Sequence, residues 1–173
     1  IYFNIRLGPQ QFVRSIHFEG NPSISGKELK KQMLTRERSL TKKGFLDEDF
    51  LDEDSKIATE YYQSKGFPDA TVGLPEVYID DSKTKLDIAF NVDEGPLVTI
   101  GAVAFDGNKS LQKEQLINPL ENREGSPFNE LALKQDEERL HFLYADNGHP
   151  YAEISQEIKR SENKIDIIYQ IDE

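Results

Sequence analysis

The chain has 173 residues, a hydrophobic fraction of 36% and a formal charge of −11. That acidic balance excludes nucleic acid, whose backbone demands a basic surface, and it disfavours an anionic membrane surface; the acidic residues keep an extended, exposed protein in solution. The absence of cysteine excludes disulfides, thiolate metal sites and a cysteine nucleophile.

No run of about 18 apolar residues spans a bilayer, and no basic-then-apolar leader precedes Ile1. The chain starts without Met inside an alternating run, Ile1, Phe3, Ile5 and Leu7, which predicts a strand ending at Gly8-Pro9. Residues 1–9 are therefore read as the last strand of a truncated preceding repeat, and the chain as a piece of something longer. A first complete strand is expected from Phe12 to Phe18, with Ile16 and Phe18 on one face, stopping at the turn pair Gly20-Asn21. Ser25, with Glu28 three residues on, makes a capping box ahead of Leu29 and Met33. The polar stretch 36–44 reads as a loop, and Leu51, Ala58, Tyr61 and Tyr62 mark a second helix that ends at Gly66, where a left-handed C-cap is wanted. A second strand alternates Ala70, Val72 and Leu74, and a third alternates Leu86, Ile88, Phe90 and Val92.

The same order then recurs. Phe3 to Pro9 matches Phe90 to Pro96, and Phe18-Glu19-Gly20-Asn21 matches Phe105-Asp106-Gly107-Asn108, both at a shift of 87. Tyr62 to Ala70 matches Tyr144 to Ala152 at a shift of 82, so the first copy carries five extra residues, expected in the loop 36–44. The second copy reads as a strand Thr99 to Phe105, a helix after Ser110, a helix marked by Leu133, Leu140, Leu143 and Tyr144, a strand through Ala152, Ile154 and Ile158, and a last strand through Ile165, Ile167, Tyr169 and Ile171. The fold class is α+β, with two tandem β-α-α-β-β modules at 10–95 and 96–173. Two such modules need only thin cores, which suits the low apolar content.

No constellation carries chemistry. Asp47, Glu48, Asp49, Asp52, Glu53 and Asp54 lack the ligand spacing and glycine of a calcium loop, and are read as complementing a helix dipole. His17, His141 and His149 are scattered over a strand, a helix and a turn, so no metal site is expected; His149 is read as a turn residue packing its ring. No Gly-x-Ser-x-Gly elbow occurs. Neither an enzyme nor a cofactor is expected.

The joints carry a resemblance. Phe-Glu/Asp-Gly-Asn closes the first strand, Tyr-x-x-x-Gly-x-Pro-x-Ala enters the second, and Asp93-Glu94-Gly95-Pro96 leads into the next copy. In this order, twice over, the chain resembles tandem POTRA domains of BamA-type outer-membrane protein assembly factors, and the resemblance covers nearly its whole length. It implies, per module, a three-stranded mixed sheet covered by two helices, with the third strand central and the second at an exposed edge. It further implies a periplasmic location, covalent continuity with a C-terminal membrane β-barrel, and unfolded outer-membrane proteins or accessory assembly proteins as partners. Such clients would join the sheets by edge-strand augmentation. The contact strands on this reading are 70–79, through Ala70, Val72, Leu74, Val77 and Ile79, and 152–160, through Ala152, Ile154, Gln156 and Ile158. Pro75 supports the edge assignment, and Gly95 and Pro96 are the inter-domain hinge. The alternatives are the POTRA region of a TamA-type or two-partner-secretion transporter, or a purely structural spacer.

Overall fold

The computed structural model describes residues 11–173; the strand expected over 1–9 lies outside the described residues. Eleven elements follow in chain order: β1 (Phe12–Glu19), α1 (Gly26–Gln32), α2 (Glu48–Gln63), β2 (Thr71–Val72), β3 (Glu76–Ile79), β4 (Lys85–Asp93), β5 (Thr99–Asp106), α3 (Lys113–Ile117), α4 (Ala132–Asp146), β6 (Glu153–Ser161) and β7 (Lys164–Asp172). They form two compact units, residues 11–61 with 71–93, and residues 62–70 with 94–173.

In the first unit β4 is central, parallel to β1 on one side and antiparallel to β2 and β3 on the other. In the second, β7 is central between parallel β5 and antiparallel β6. Both sheets are thus mixed, with the third strand of each module in the middle. The central strands are the most apolar because they are flanked on both sides. Leu86, Ile88, Phe90 and Val92 of β4, and Ile165, Ile167, Tyr169 and Ile171 of β7, point alternately into buried cores.

The first strands depart from simple alternation. Val13 and Ile16 are buried three residues apart, as are Ile100 and Val103, because each parallel ladder slips by one residue between them. Phe18 and Phe105 are only partly buried and stack on Phe90 and Tyr169, with ring centroids 5.3 and 5.6 Å apart. The Gly-Asn turns follow. Gly20 and Gly107 have φ of +80° and +87°, and the side-chain amides of Asn21 and Asn108 donate to the carbonyls of Ile24 and Leu111 across the turn.

Ser25 caps α1, its Oγ accepting from the Glu28 amide, but only this half of the expected capping box forms, since the Glu28 carboxylate accepts from the Tyr61 hydroxyl. Ser110 does not cap α3. Gln112 is the N-cap there, with its amide donating to Gln115 Oε1 at 2.9 Å, while Ser110 turns to the end of β7. Its hydroxyl and amide, with the amide of Lys109, bind the Glu173 carboxylate at 2.6 to 2.8 Å.

These donors pull the Glu173 pKa down to about 2, the Ser110 hydroxyl foremost. On the outer face of the first sheet, Arg14 and Ser15 hold Asp87 down to about 2 as well. A carboxyl whose folded pKa lies below its unfolded value, about 4, stabilises the fold above that pH and ceases to do so as pH falls towards the folded pKa. The melting temperature is therefore expected to drop between about pH 4 and pH 2. Glu173→Gln and Asp87→Asn should each flatten that slope in circular-dichroism melts.

The acidic run at the start of α2 divides in two. Asp47 accepts from the Asp49 amide at 3.2 Å, at the helix N-terminus as read from sequence. Asp54, grouped with the run in the sequence, is fully buried and does something else: its carboxylate accepts from the amides of Leu34 and Thr35, beyond the end of α1. Asp136, at the equivalent place in α4, is equally buried and accepts from the amides of Glu121 and Asn122 at 2.8 and 3.0 Å. Each long helix thus pins the chain leaving the short one.

The equivalences also locate the five extra residues. Arg38 donates its amide to Val13 O as Gly125 does to Ile100 O, both at the shift of 87; Val13 N donates to Gly44 O as Ile100 N does to Ser126 O, now at 82. The insertion is Ser39 to Lys43.

Candidate functional site

A sheet offers binding capacity where its edge is open, so the side of each sheet away from the central strand decides what can pair. On the β1 side the α1–α2 connection runs alongside the strand, through the Arg38 and Gly44 bonds to Val13 and a bridge between Phe12 and Phe45. Residues 125–128 cover the start of β5 in the same way, with Phe128 N donating to Val98 O at 2.9 Å and Thr99 bridging Pro127. The other sides, β2 with β3 and β6, are edges in the order of the strands.

The stretch 70–79 is not one strand. Ala70 is buried and lies in the turn before β2, its amide donating to Phe67 O at 3.1 Å. Val72 pairs with Val92 inside β2, but its own amide donates to Thr59 Oγ1 of α2 at 3.1 Å, and the Gly73 carbonyl accepts from Ser55 Oγ at 3.0 Å. The helix therefore already occupies this part of the edge. Leu74 is exposed and stands with Pro75 in the break between β2 and β3, where a missing amide costs the ladder nothing. Sequence reasoning missed Ser55 and Thr59; the available signal was two small hydroxyl residues one turn apart on the face of α2 that Leu51 and Ala58 bury.

β3 is the open part. Asp80 N donates to Lys85 O, so by alternation Tyr78 faces β4, and Val77 and Ile79 direct their amides and carbonyls outward. All four β3 side chains are exposed. Val77 and Ile79 line a groove of about 580 Å³ with Leu86 as a buried wall, Leu51 at one side and the first turn of α2, with Glu48, Asp49 and Asp52, along the rim.

In the second unit, Ala152 repeats the Ala70 turn, donating to His149 O at 3.2 Å, and precedes β6. β6 pairs with β7 without interruption from Glu153 to Ser161, through a two-residue turn at Glu162 and Asn163. Such a turn closes on a hydrogen-bonded pair, Ser161 with Lys164, which leaves Ile154, Gln156, Ile158 and Arg160 presenting main-chain groups outward. Ile154 is buried, Ile158 is exposed, and Gln156 Oε1 is buried with no hydrogen-bond partner among the described residues. Ser55 and Thr59 correspond to Glu137, which is half-buried, and His141, which is exposed, so neither equivalent is a small hydroxyl residue of the kind that occupies the β2 edge. Glu153, Glu157, Lys159 and Arg160 along β6 discourage indiscriminate pairing.

Gly95 has a φ of +61°. Before it, Glu94 is buried and accepts from the Tyr62 hydroxyl at 3.1 Å; burial, then this bond, pushes the phenol pKa up. The His149 ring meets Tyr144 edge-on, as Phe67 meets Tyr62. Chemically the site consists of main-chain donors and acceptors beside an apolar wall, which suits recognition of an extended polypeptide.

The family model described as the surface antigen variable number repeat, POTRA, matches residues 11–95 and again 98–173. The chain is 28% identical over 181 residues to the outer membrane protein assembly factor BamA of Nitratidesulfovibrio vulgaris, covering 99% of this chain and 23% of that protein. To BamA of Neisseria meningitidis it is 26% identical, covering 99% of this chain and 22% of that protein. It thus spans less than a quarter of these relatives' length. Among solved structures, BamA POTRA3-5 of Haemophilus influenzae superposes with a TM-score of 0.63 at 21% identity, over 94% of this chain and 66% of that one. BamA of Haemophilus ducreyi lacking POTRA domains 1-3 gives 0.60 at 21% identity, over 95% of this chain and 29% of that one. With two tandem matches that together span nearly every described residue, the chain belongs to the POTRA family.

Proposed function

We propose that this chain is the periplasmic POTRA scaffold of a BamA-type protein that assembles β-barrels into an outer membrane, and that extended polypeptides pair with the open edges of β3 and β6. The observation carrying this reading is the outward direction of main-chain groups at Val77 and Ile79 and at Ile154, Gln156, Ile158 and Arg160. The partners are unfolded outer-membrane proteins or accessory assembly proteins, because main-chain pairing tolerates many sequences. Modules 10–95 and 96–173 act in series, with Gly95 and Pro96 as the hinge between them, and a C-terminal membrane β-barrel continues the parent chain. The work is binding, without catalysis.

Titration with an unfolded barrel peptide, followed by amide shifts in NMR spectra, tests the reading. Residues 76–79 and 153–161 are expected to shift, while 71–73, held by Ser55 and Thr59, stay still. Val77→Pro and Ile158→Pro each remove an outward amide and no ladder bond, so each should weaken binding at its own edge about tenfold or more with the fold intact. Unmoved edges would sink the pairing mechanism and favour a spacer.

A further inference from the structure

The overall acidity of the chain argues against an anionic membrane surface, yet its charge is not evenly spread. From Lys27 to Lys43 there are seven basic residues, Lys27, Lys30, Lys31, Arg36, Arg38, Lys42 and Lys43, against two acids, Glu28 and Glu37, a local charge of +5 in a chain of −11. The matching stretch of the second unit, 114–125, holds only Arg123 against Glu114, Glu121 and Glu124. Two of the seven basic residues, Lys42 and Lys43, sit in the insertion Ser39–Lys43, which the second unit lacks.

The tip has a definite shape. Ser39 N donates to Lys42 O at 3.0 Å and Lys42 N to Ser39 Oγ at 3.1 Å, so the loop turns tightly and leaves Leu40 wholly exposed, at 107% of its reference accessibility. Its stem is tied down. Arg38 lies 4.1 Å over the Phe12 ring, Lys30 pairs with Glu37 at 2.7 Å, and Arg36 donates to the carbonyls of Lys30 and Thr35. Lys31 and Lys42 have no ion pair among the described residues. Both line a groove of about 400 Å³ together with Lys30, Arg36, Arg38 and Ser39.

We propose that this insertion is a docking tip for a bilayer surface bearing anionic phosphate headgroups, with Leu40 entering the headgroup boundary and Lys31, Lys42 and Lys43 meeting the phosphates. One fully exposed leucine, two and three residues before Lys42 and Lys43 in a stretch of local charge +5, matches the chemistry of a lipid surface, which offers apolar depth directly beneath fixed negative charge. An acidic polypeptide would satisfy the lysines alone. This surface is separate from the β3 and β6 edges, and it stands or falls independently of edge pairing.

Co-sedimentation of the 173-residue chain with vesicles tests it. Binding is expected to phosphatidylglycerol–phosphatidylcholine vesicles, not to phosphatidylcholine alone, and to weaken as salt rises. The triple variant Lys31→Glu, Lys42→Glu, Lys43→Glu should lower the partition coefficient about a hundredfold or more. Leu40→Ser, at a site with no packing to lose, should lower it about tenfold with the circular dichroism unchanged. Equal binding of the charge-reversed chain, an unaffected Leu40→Ser variant, or capture of polyglutamate without capture of anionic vesicles would each overturn the proposal.

Discussion

Replacing Gly107 by alanine is expected to destabilise the second unit by about 3 kcal/mol or more, the sum of backbone strain and a main-chain collision. The residue has a φ of +87°, a region that costs an L-residue about 1–2 kcal/mol. Its added Cβ would also lie 2.0 Å from the carbonyl oxygen of Ile171, in the central strand β7. That oxygen is a main-chain atom of the central strand and cannot swing aside like a side chain, so the ends of β5 and β7 must separate there. Gly148 is the internal control. It has a φ of +93° but nothing within 4 Å of a Cβ, so Gly148→Ala should cost only the strain of about 1–2 kcal/mol. Gly20 repeats Gly107 in the first unit, with Val92 O at 2.2 Å. Urea denaturation of the three alanine variants checks the order: the midpoints of Gly20→Ala and Gly107→Ala should fall well below that of Gly148→Ala. Equal losses at all three would show that the close approach of the carbonyls contributes nothing.

Asp136→Ala is expected to cost about 4 kcal/mol, because it strips the acceptor from two main-chain amides, Glu121 and Asn122, at a position with no solvent access. Each orphaned donor is worth about 1–3 kcal/mol. The Asn122 side-chain amide, 3.1 Å from the carboxylate, and the Arg139 guanidinium, at 2.6 Å, lose a partner too. Asp54→Ala should behave similarly in the first unit, where the carboxylate holds Leu34 and Thr35. Asn at either position keeps one carbonyl oxygen and should lose about half as much. The measurement is again the free energy of unfolding from denaturant curves. A surface-like change, within about 0.5 kcal/mol, would refute the pinning role of these aspartates.

Much of the architecture was legible before any coordinates. Period-2 patterns at 86–92 and 165–171 announced the central strands, since a strand flanked on both sides and covered by helices must be apolar along one face. Gly66 and Gly148 announced helix ends because their φ of +97° and +93° is a conformation that glycine takes cheaply. The edges were only half legible. Pro75 was read as the mark of an edge strand and stands in the break between β2 and β3, while alternation through Ala70, Val72 and Leu74 concealed that Ala70 and Leu74 lie outside strands and that Thr59 and Ser55 close the edge between them. Likewise Asp54 read as one more acid in a cluster of six, because burial is a property of the folded surroundings and leaves no mark on residue type.

By itself, then, the order of residues determined the repeat, the order of the helices and of the first and central strands, and the family, since these rest on local periodicity and on turn residues whose conformational demands act within a few positions. Only the tertiary structure decided which edge groups are free, which five residues of the loop 36–44 are the insertion, and that Asp54 and Asp136 are structural. Those properties depend on hydrogen bonds between elements far apart in sequence, such as Thr59 to Val72, Arg38 to Val13 and Asp136 to Glu121. Such partners are chosen by the packing of helix on sheet, and no local pattern encodes the choice.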